Sequence, residues 1–165
     1  MGSEMCIRDR GYLDWYSYED LDGNTAATTK AIDIASGLGV LCVNSAGNEG
    51  DDPWYYIITP ADADSVLSVG AVDVNDVIAN FSSRGPTFDG RIKPEVCARG
   101  VSTYCVRSNT ENIYRTASGT SFSAPLAAGA AAVIMSANPE WTNMQVREAI
   151  TVSYTHLTLP TILLV

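Results

Sequence analysis

Two short apolar runs without polar alternation constrain the fold more than any other feature: VLCV at residues 40–43 and SVLSVGAVD at residues 65–73. A strand that is apolar on both faces is buried on both faces, as in a parallel sheet that helices cover on each side. Helical patterns stand before the first run and well after the second, so that helices and strands alternate. The expected fold class is therefore α/β, with a mostly parallel sheet flanked by helices.

The first predicted helix precedes residues 40–43. Asn24 or Thr25 can act as its N-cap, and Gly37 with Gly39 ends it near residue 36. Its apolar side chains recur at helical spacing and predict the face that packs on the sheet. That face consists of Ala27, Ala31, Ile34, Ala35 and Leu38.

The second half of the chain predicts a loop and two more helices. Residues 81–96 are rich in turn signals and read as a loop. A helix is expected from Ser121 to about residue 136, with Pro125 in its first turn, where a missing N–H costs little. Thr142 and Gln145 form a capping box for a last helix.

Composition argues against several kinds of partner. The 165 residues carry 19 acidic and 10 basic side chains, a net charge of −9, without a basic cluster. Nucleic acids and anionic membranes are therefore not expected as partners. The chain is also expected to be a monomer. No apolar run reaches the length expected of a transmembrane helix.

No metal and no other cofactor is expected. The acidic stretch at residues 20–24 reads as a solvated turn, because the calcium-loop pattern fails at Tyr18 and at Thr29. The four cysteines lack the spacing of a metal site or a disulfide framework. Cys97 and Cys105 either pair in an oxidising compartment or stay as buried free thiols.

The two ends of the chain carry a relation that protein chemistry does not explain. Residues 152–156 (VSYTH) and residues 5–9 (MCIRD) can be encoded by one DNA sequence and its inverse complement, and both resemble translated sequencing adapter. We therefore expect residues 1–10 and 152–165 to be adapter-derived, which leaves residues 11–151 as the native part. His156, the only histidine, falls in the excluded tail.

Residues 117–129 (ASGTSFSAPLAAG) place Ser121 among small side chains at the start of a predicted helix. A helix N-terminus offers free N–H groups and a positive dipole end to a developing oxyanion, which suits a nucleophile. The same geometry suits a plain N-cap serine, and from this segment alone the N-cap is favoured. Neither the hydrolase elbow G-x-S-x-G nor the S-x-x-K motif fits.

The segment resembles the G-T-S-x-x-x-P signature of subtilisin-like serine proteases, with Gly119, Thr120, Ser121 and Pro125 on the pattern. A second block, SAGNEG at residues 45–50, resembles the oxyanion block of that family. Further similar segments extend over most of residues 11–151 and resemble secreted bacterial members. The resemblance implies the carboxyl-terminal part of a subtilisin-like catalytic domain, and a secreted or cell-surface protein.

The resemblance also implies roles for individual residues. Ser121 would be the acylated nucleophile, and the Asn48 side chain would donate to the oxyanion together with the Ser121 backbone N–H. The pocket wall and backbone offered to an extended polypeptide substrate would come from four small residues: Ser45, Ala46, Gly47 and Gly119. Asn48 has an alternative interpretation as a turn residue.

The partners of Ser121 are not found upstream in this chain. In the family the aspartate and the histidine precede the serine, and no histidine stands before Ser121 here. The chain is therefore expected to be inactive by itself. Two alternatives stay open: a sedolisin-type peptidase, against which Asn48 argues because that family uses aspartate there, and a non-catalytic α/β binding domain derived from a protease.

Overall fold

The computed structural model describes residues 16–155. Of the ranges 1–10 and 152–165 that are expected to be adapter-derived, residues 1–10 and 156–165 lie outside the described part, and residues 152–155 belong to the last helix. The helices are a one-turn 3₁₀ helix, Tyr18–Asp20, followed by α1 (Ala27–Gly37), α2 (Thr120–Ala137) and α3 (Asn143–Thr155). The strands are β1 (Val43–Ser45), β2 (Leu67–Val72), β3 (Val96–Arg99), β4 (Thr103–Val106) and β5 (Tyr114–Ala117).

The α/β class and the parallel sheet are confirmed. Strands β1, β2 and β3 lie in that order and are parallel, with Val43 opposite Leu67 and Val69 opposite Val96. Helix α2 packs on all three strands, and α3 packs on α2. Strand β2 is central and almost fully buried, as its continuous apolar run predicts.

Two buried clusters form the core. The first lies between the sheet and α2 and consists of Leu67, Val69, Val96, Ala98 and Ala127. The second lies under the loops around the 3₁₀ helix and consists of Leu21, Ala46, Ile57 and Ala61. Because Ala46 directly follows β1, the second cluster fixes the loop that carries Asn48.

The first strand begins later than expected. The apolar run at residues 40–43 predicts a strand there, whereas β1 is Val43–Ser45. The backbone before it is held by other contacts: the Asn143 Nδ2 donates to the Val40 carbonyl at 3.0 Å. Pairing with β2 starts at the Cys42 carbonyl, which accepts from Leu67 N–H at 2.9 Å.

Helix α1 keeps its predicted end but has a different N-cap. The N-cap is Ala26, which has no polar side chain with which to cap the helix. Asn24 and Thr25 lie before the helix, where their N–H groups donate to the carboxylate of Asp22 at 2.8 Å and 2.7 Å. These hydrogen bonds, working against partial burial, hold the pKa of Asp22 below its usual value.

The predicted packing face of α1 is wrong. The buried positions are Thr29 and Ser36, whereas Ile34 is 67% exposed and Leu38 is 81% exposed. Thr29 is drawn inward by its hydrogen bond to the buried carboxylate of Asp62, at 2.7 Å. The apolar stripe of this helix is therefore uncovered within residues 16–155.

Helix α2 begins at Thr120 and runs one residue past the predicted end. Pro125 is its sixth residue, so it lies in the second turn, and its missing N–H cannot bond the Ser121 carbonyl four residues back. The predicted capping box before α3 is confirmed: Thr142 N–H donates to the Gln145 side chain at 2.8 Å, and Gln145 N–H donates to Thr142 Oγ1 at 3.2 Å.

Helix α2 also corrects the expectation about membrane-spanning length. Its 18 residues have a mean hydropathy of 1.4, so that by length and composition alone it is apolar enough to cross a membrane, and 22% of it is buried. Seven alanines contribute to this value, together with five larger apolar residues: Phe122, Leu126, Val133, Ile134 and Met135. Core helices of soluble proteins meet the same criterion, and the buried positions of α2 face the sheet.

Strands β3, β4 and β5 were not predicted. The predicted loop is confirmed for residues 81–95. Its last predicted residue, Val96, is instead the first residue of β3, and only alternate residues of β3 are buried. Strands β4 and β5 form an antiparallel hairpin, in which Cys105 stands opposite Arg115. Cys97 and Cys105 are both free thiols, and burial raises the pKa of Cys97.

A buried charged cluster ties the sheet to α3. Glu95 accepts from Lys93 Nζ at 2.5 Å and from an Arg147 guanidinium nitrogen at 2.7 Å. Its second oxygen accepts from the Ser68 hydroxyl at 2.6 Å. Burial lowers the pKa of Lys93, against the opposing effect of Glu95.

Removing the charge of Glu95 should destabilise the fold strongly. The variant Glu95→Gln leaves Lys93 and Arg147 without their buried counter-ion, which should cost about 3 kcal/mol of unfolding free energy. Urea denaturation measures this loss, with Glu148→Gln, an exposed glutamate on α3, as the matched control. Equal stability of the two variants would contradict the proposed importance of the cluster.

Asp62 should give the protein a defined pH dependence. Burial raises the pKa of its carboxyl, outweighing hydrogen bonds from Thr29 and Gly23. The folded protein then keeps the proton to higher pH than the unfolded chain, whose aspartate pKa is about 3.9. The protonated Asp62 therefore contributes to the free energy of unfolding below about pH 3.9. This contribution is lost as the pH rises through the raised pKa of Asp62.

The variant Asp62→Asn removes this titration. Urea unfolding of both proteins from pH 4 upward should show the wild type losing stability relative to the variant as pH rises. A free-energy difference that is constant over this range would show that Asp62 is not protonated in the fold.

Candidate active site

The candidate site lies where the carboxyl end of β1 meets the start of α2. Asn48 follows β1 by three residues, and Ser121 is the second residue of α2. Residues 72 positions apart are joined here, because Thr120 N–H donates to Asn48 Oδ1 at 2.8 Å. The structure thus brings together the two residues that the sequence selected.

Ser121 is not the N-cap of its helix. The N-cap is Gly119, and no side chain caps the helix start. The hydroxyl of Ser121 is exposed, and no residue in the range 16–155 forms a hydrogen bond with it. The interpretation of Ser121 as a plain capping serine is therefore wrong, and its hydroxyl is open to solvent and to a ligand.

Thr120 fixes the side chain of Asn48. Besides its N–H, the Thr120 hydroxyl lies 3.1 Å from Asn48 Oδ1 and 3.1 Å from the Gly47 carbonyl, and it accepts from Gly47 N–H at 3.3 Å. The Thr120 N–H, which can only donate, identifies the Asn48 atom that it contacts as the carbonyl oxygen of the amide. The Nδ2 end therefore points away from Thr120.

Two hydrogen-bond donors at the site, one from a side chain and one from the backbone, have no partner among the described residues. Neither Asn48 Nδ2 nor the Ser121 N–H donates a hydrogen bond to any residue between 16 and 155. Unpaired N–H groups at the start of a helix are available to an anion. An exposed hydroxyl with two free donors nearby can stabilise an oxygen that becomes negative during attack.

Gly119 lies against the Asn48 amide. Its φ of 149° is in the region that favours glycine. A Cβ built on Gly119 would lie 3.6 Å from Asn48 Oδ1 and 3.8 Å from Asn48 Nδ2, in van der Waals contact with the amide. Glycine therefore keeps open the space beside the amide and permits the turn into α2.

The other predicted substrate-binding residues are placed unequally. Ala46 and Gly47 are buried, and their backbone groups are used internally by Val69, Ile58, Ser83 and Thr120. Ser45 is half-buried, and β1 is an edge strand among the described strands. Of the three, Ser45 has the backbone nearest to a free sheet edge, and the substrate roles of all three stay predictions.

Sequence reasoning missed Gly100, which lets the start of α2 pack closely against the end of β3. Its carbonyl accepts from Gly119 N–H at 2.8 Å. A Cβ on Gly100 would lie 2.3 Å from the buried Ser123 hydroxyl and 2.6 Å from Ala71 Cβ, which is too close for either. The sequence signal for this role is a glycine directly after a strand, and it could not be used because β3 was not predicted.

No histidine accompanies Ser121 in the described range. The only histidine of the sequence, His156, lies outside residues 16–155. A serine hydroxyl needs a base to remove its proton before it can act as a nucleophile.

Comparison with known proteins decides the family. The model of the subtilase family, peptidase S8, matches residues 11–163. The chain belongs to the subtilase family. The resemblance inferred from the Ser121 and Asn48 blocks is confirmed at this level.

Similar proteins are bacterial proteases. Serine protease AprX of Bacillus subtilis is 37% identical over 72% of this chain and 31% of its own length. Subtilisin DY of Bacillus licheniformis is 36% identical over 88% of this chain and 54% of its own. The thermostable alkaline protease of Halalkalibacterium halodurans is 38% identical over 98% of this chain and 41% of its own.

A solved structure shares the fold. The prenylagaramide maturation protease PagA superposes with a TM-score of 0.66 at 26% identity, over 79% of this chain and 46% of that one. The subtilase chain described here thus spans about a third to a half of the length of these relatives.

Loss of the Thr120 hydroxyl should weaken the junction that holds the site. In Thr120→Val the buried Gly47 N–H loses its acceptor, at a cost of about 1 to 3 kcal/mol in unfolding free energy. The Gly47 carbonyl keeps its hydrogen bond from Ser83 N–H at 3.1 Å. Thr120→Ser keeps the hydroxyl and should retain most of the stability, as urea denaturation of both variants would show. A larger loss in Thr120→Ser than in Thr120→Val would assign the effect to packing of the methyl group instead.

Proposed function

We propose that this subtilase chain carries the nucleophile and the oxyanion donors of a serine endopeptidase that works through an acyl-enzyme. The observation that carries the proposal is the exposed Ser121 hydroxyl, with the free Asn48 Nδ2 and Ser121 N–H donors beside it. Family membership supports proteolysis as the reaction class.

The proposed reaction has two stages. Ser121 Oγ attacks the carbonyl carbon of a peptide bond while a base removes its proton, and the carbonyl electron pair moves to the oxygen. Asn48 Nδ2 and the Ser121 N–H donate to that oxyanion. The C–N bond then breaks, the amine leaves with the proton, and water hydrolyses the ester to restore Ser121.

The base and its orienting carboxylate are proposed to come from a segment that this chain does not contain. The uncovered surface supports this. Val133 on the outer face of α2 is 67% exposed, and the apolar stripe of α1 around Ile34 and Leu38 is open as well. Exposed apolar surface of this kind normally has a covering partner.

The remaining properties follow from the same proposal. The substrate is a polypeptide, and the domain acts as a monomer without a metal or nucleic-acid partner. Secretion or attachment to the cell surface is proposed from the family resemblance. The isolated chain is proposed to be inactive, since no histidine lies within residues 16–155 to act as the base of Ser121.

Extending the gene upstream tests this function. Sequencing of the source DNA should reveal an aspartate block and an H-G-T-H block in frame, and the extended protein should hydrolyse casein. Asn48→Ala should lower kcat by about two to three orders of magnitude, the cost known for the oxyanion asparagine of subtilisin itself. Asn75→Ala, at an exposed turn, is the control.

A different upstream sequence would favour the second candidate. If the frame continues without those blocks and the extended protein binds peptides but cleaves none, the parent is a binding domain derived from a protease. Activity that survives Ser121→Ala would contradict the proposed nucleophile.

A further inference from the structure

The β4–β5 hairpin presents an uncovered aromatic face. Tyr104 is 71% exposed and Tyr114 is 56% exposed, and their rings stack at 5.4 Å with an interplanar angle of 11°. Val106, also exposed, stands opposite Tyr114 and extends the same face. No residue between 16 and 155 outside the hairpin forms a ring contact with this pair.

The opposite face of the hairpin is basic. Side chains alternate along a strand, so Arg115 and Arg107 lie on the face away from the tyrosines. Both arginines are exposed, and Glu111 in the connecting loop is the only acidic residue between positions 99 and 117. This is a local excess of positive charge in a chain whose net charge is −9.

One edge of the hairpin has free backbone groups. Arg107 N–H donates to the Ile113 carbonyl at 2.8 Å, so the polar groups of Ile113 face β4. Since these groups alternate in direction along an antiparallel strand, those of Tyr114 and Thr116 face outward. Strand β5 is exposed at three of its four positions, and the described sheet has only two strands.

This edge is continuous with the candidate site. Strand β5 ends at Ala117, four residues before Ser121. The connection is rigid, because the Ser118 hydroxyl accepts from Ser102 N–H at 2.9 Å and Gly119 N–H donates to the Gly100 carbonyl. A polypeptide held at Ser121 therefore has a fixed, unpaired strand within a few residues of its cleavage site.

From these observations we propose that the outer edge of β5 binds an extended segment of the polypeptide substrate in which aromatic and acidic residues alternate. The segment adds a third strand by pairing with Tyr114 and Thr116. Its aromatic residues stack on the tyrosine face, and its acidic residues approach Arg115 and Arg107. The inference names the substrate class of the proposed protease and in that respect rests on the proposed function.

The test is a binding titration with the full chain. The probe is a fluorescein-labelled five-residue peptide in which glutamate and tyrosine alternate, followed by fluorescence anisotropy. Binding should saturate, and it should weaken in 0.5 M NaCl because salt screens exposed charges. A peptide with lysine in place of glutamate should show no saturable binding. N-methylation of the alternate peptide residues whose N–H groups face β5 should abolish binding, whereas N-methylation of the intervening residues should not.

Variants of the hairpin locate the binding. Tyr104→Thr with Tyr114→Thr keeps strand-forming residues and should weaken binding about fivefold. Arg115→Glu should weaken it about threefold or more. The matched controls are Ile92→Ser, an exposed apolar residue elsewhere, and Lys30→Glu, an exposed cation on α1. Both controls should leave the Kd unchanged.

Amide chemical shifts separate loss of binding from loss of the hairpin. In each variant the β4–β5 amides should keep their strand shifts, and in the wild type the probe should perturb residues 114–117. Absence of saturable binding, equal binding of the lysine peptide, or binding unaffected by the hairpin variants would overturn the proposal. The probe binds without Ser121 chemistry, so such a failure would leave the proposed protease function standing, and a failed casein assay would leave this site standing.

Discussion

The hydrogen bonds between Thr120 and the loop after β1 are the contacts on which the rest of the site depends. Thr120 uses its N–H and its hydroxyl on Asn48 and Gly47, so that the end of a strand and the start of a helix 72 residues later are held together. The contact consumes the acceptor end of the Asn48 amide and leaves the donor end free. In the proposed reaction, the donor end of Asn48 would therefore be oriented before a substrate binds, which is the condition for efficient electrostatic stabilisation.

The sheet and the two glycines supply the frame for this contact. Parallel strands bring their carboxyl ends to one edge, which is where open α/β sheets place their ligand sites. Gly100 allows the helix start to approach the end of β3 without a side chain between them, and Gly119 permits the turn and the space beside Asn48. Because the Ser121 hydroxyl is not used to cap the helix, it stays available for chemistry.

Much of this could be predicted from the sequence, and the failures have physical causes. The continuous apolar run of β2 and the capping box of Thr142 and Gln145 are local signals, and both are confirmed. The predicted packing face of α1 was wrong within residues 16–155, because a hydrogen bond turns Thr29 inward to the buried Asp62 and the apolar stripe has no cover there. The hairpin was missed because one face of it carries exposed tyrosines instead of a buried stripe. The Thr120 contact depends on residues far apart in sequence, which no local pattern reports.

The central claim is that Ser121 is a nucleophile held beside working oxyanion donors and lacking only its base. The most direct measurement is mass spectrometry of the site labelled by a fluorophosphonate, which reacts with activated serines. The account predicts no labelling of the 165-residue chain alone. It predicts a single adduct on the peptide that contains Ser121 once the chain is joined to the upstream segment that we propose to carry the histidine. Labelling of the isolated chain at Ser121, or an adduct at another serine in the extended protein, would contradict it.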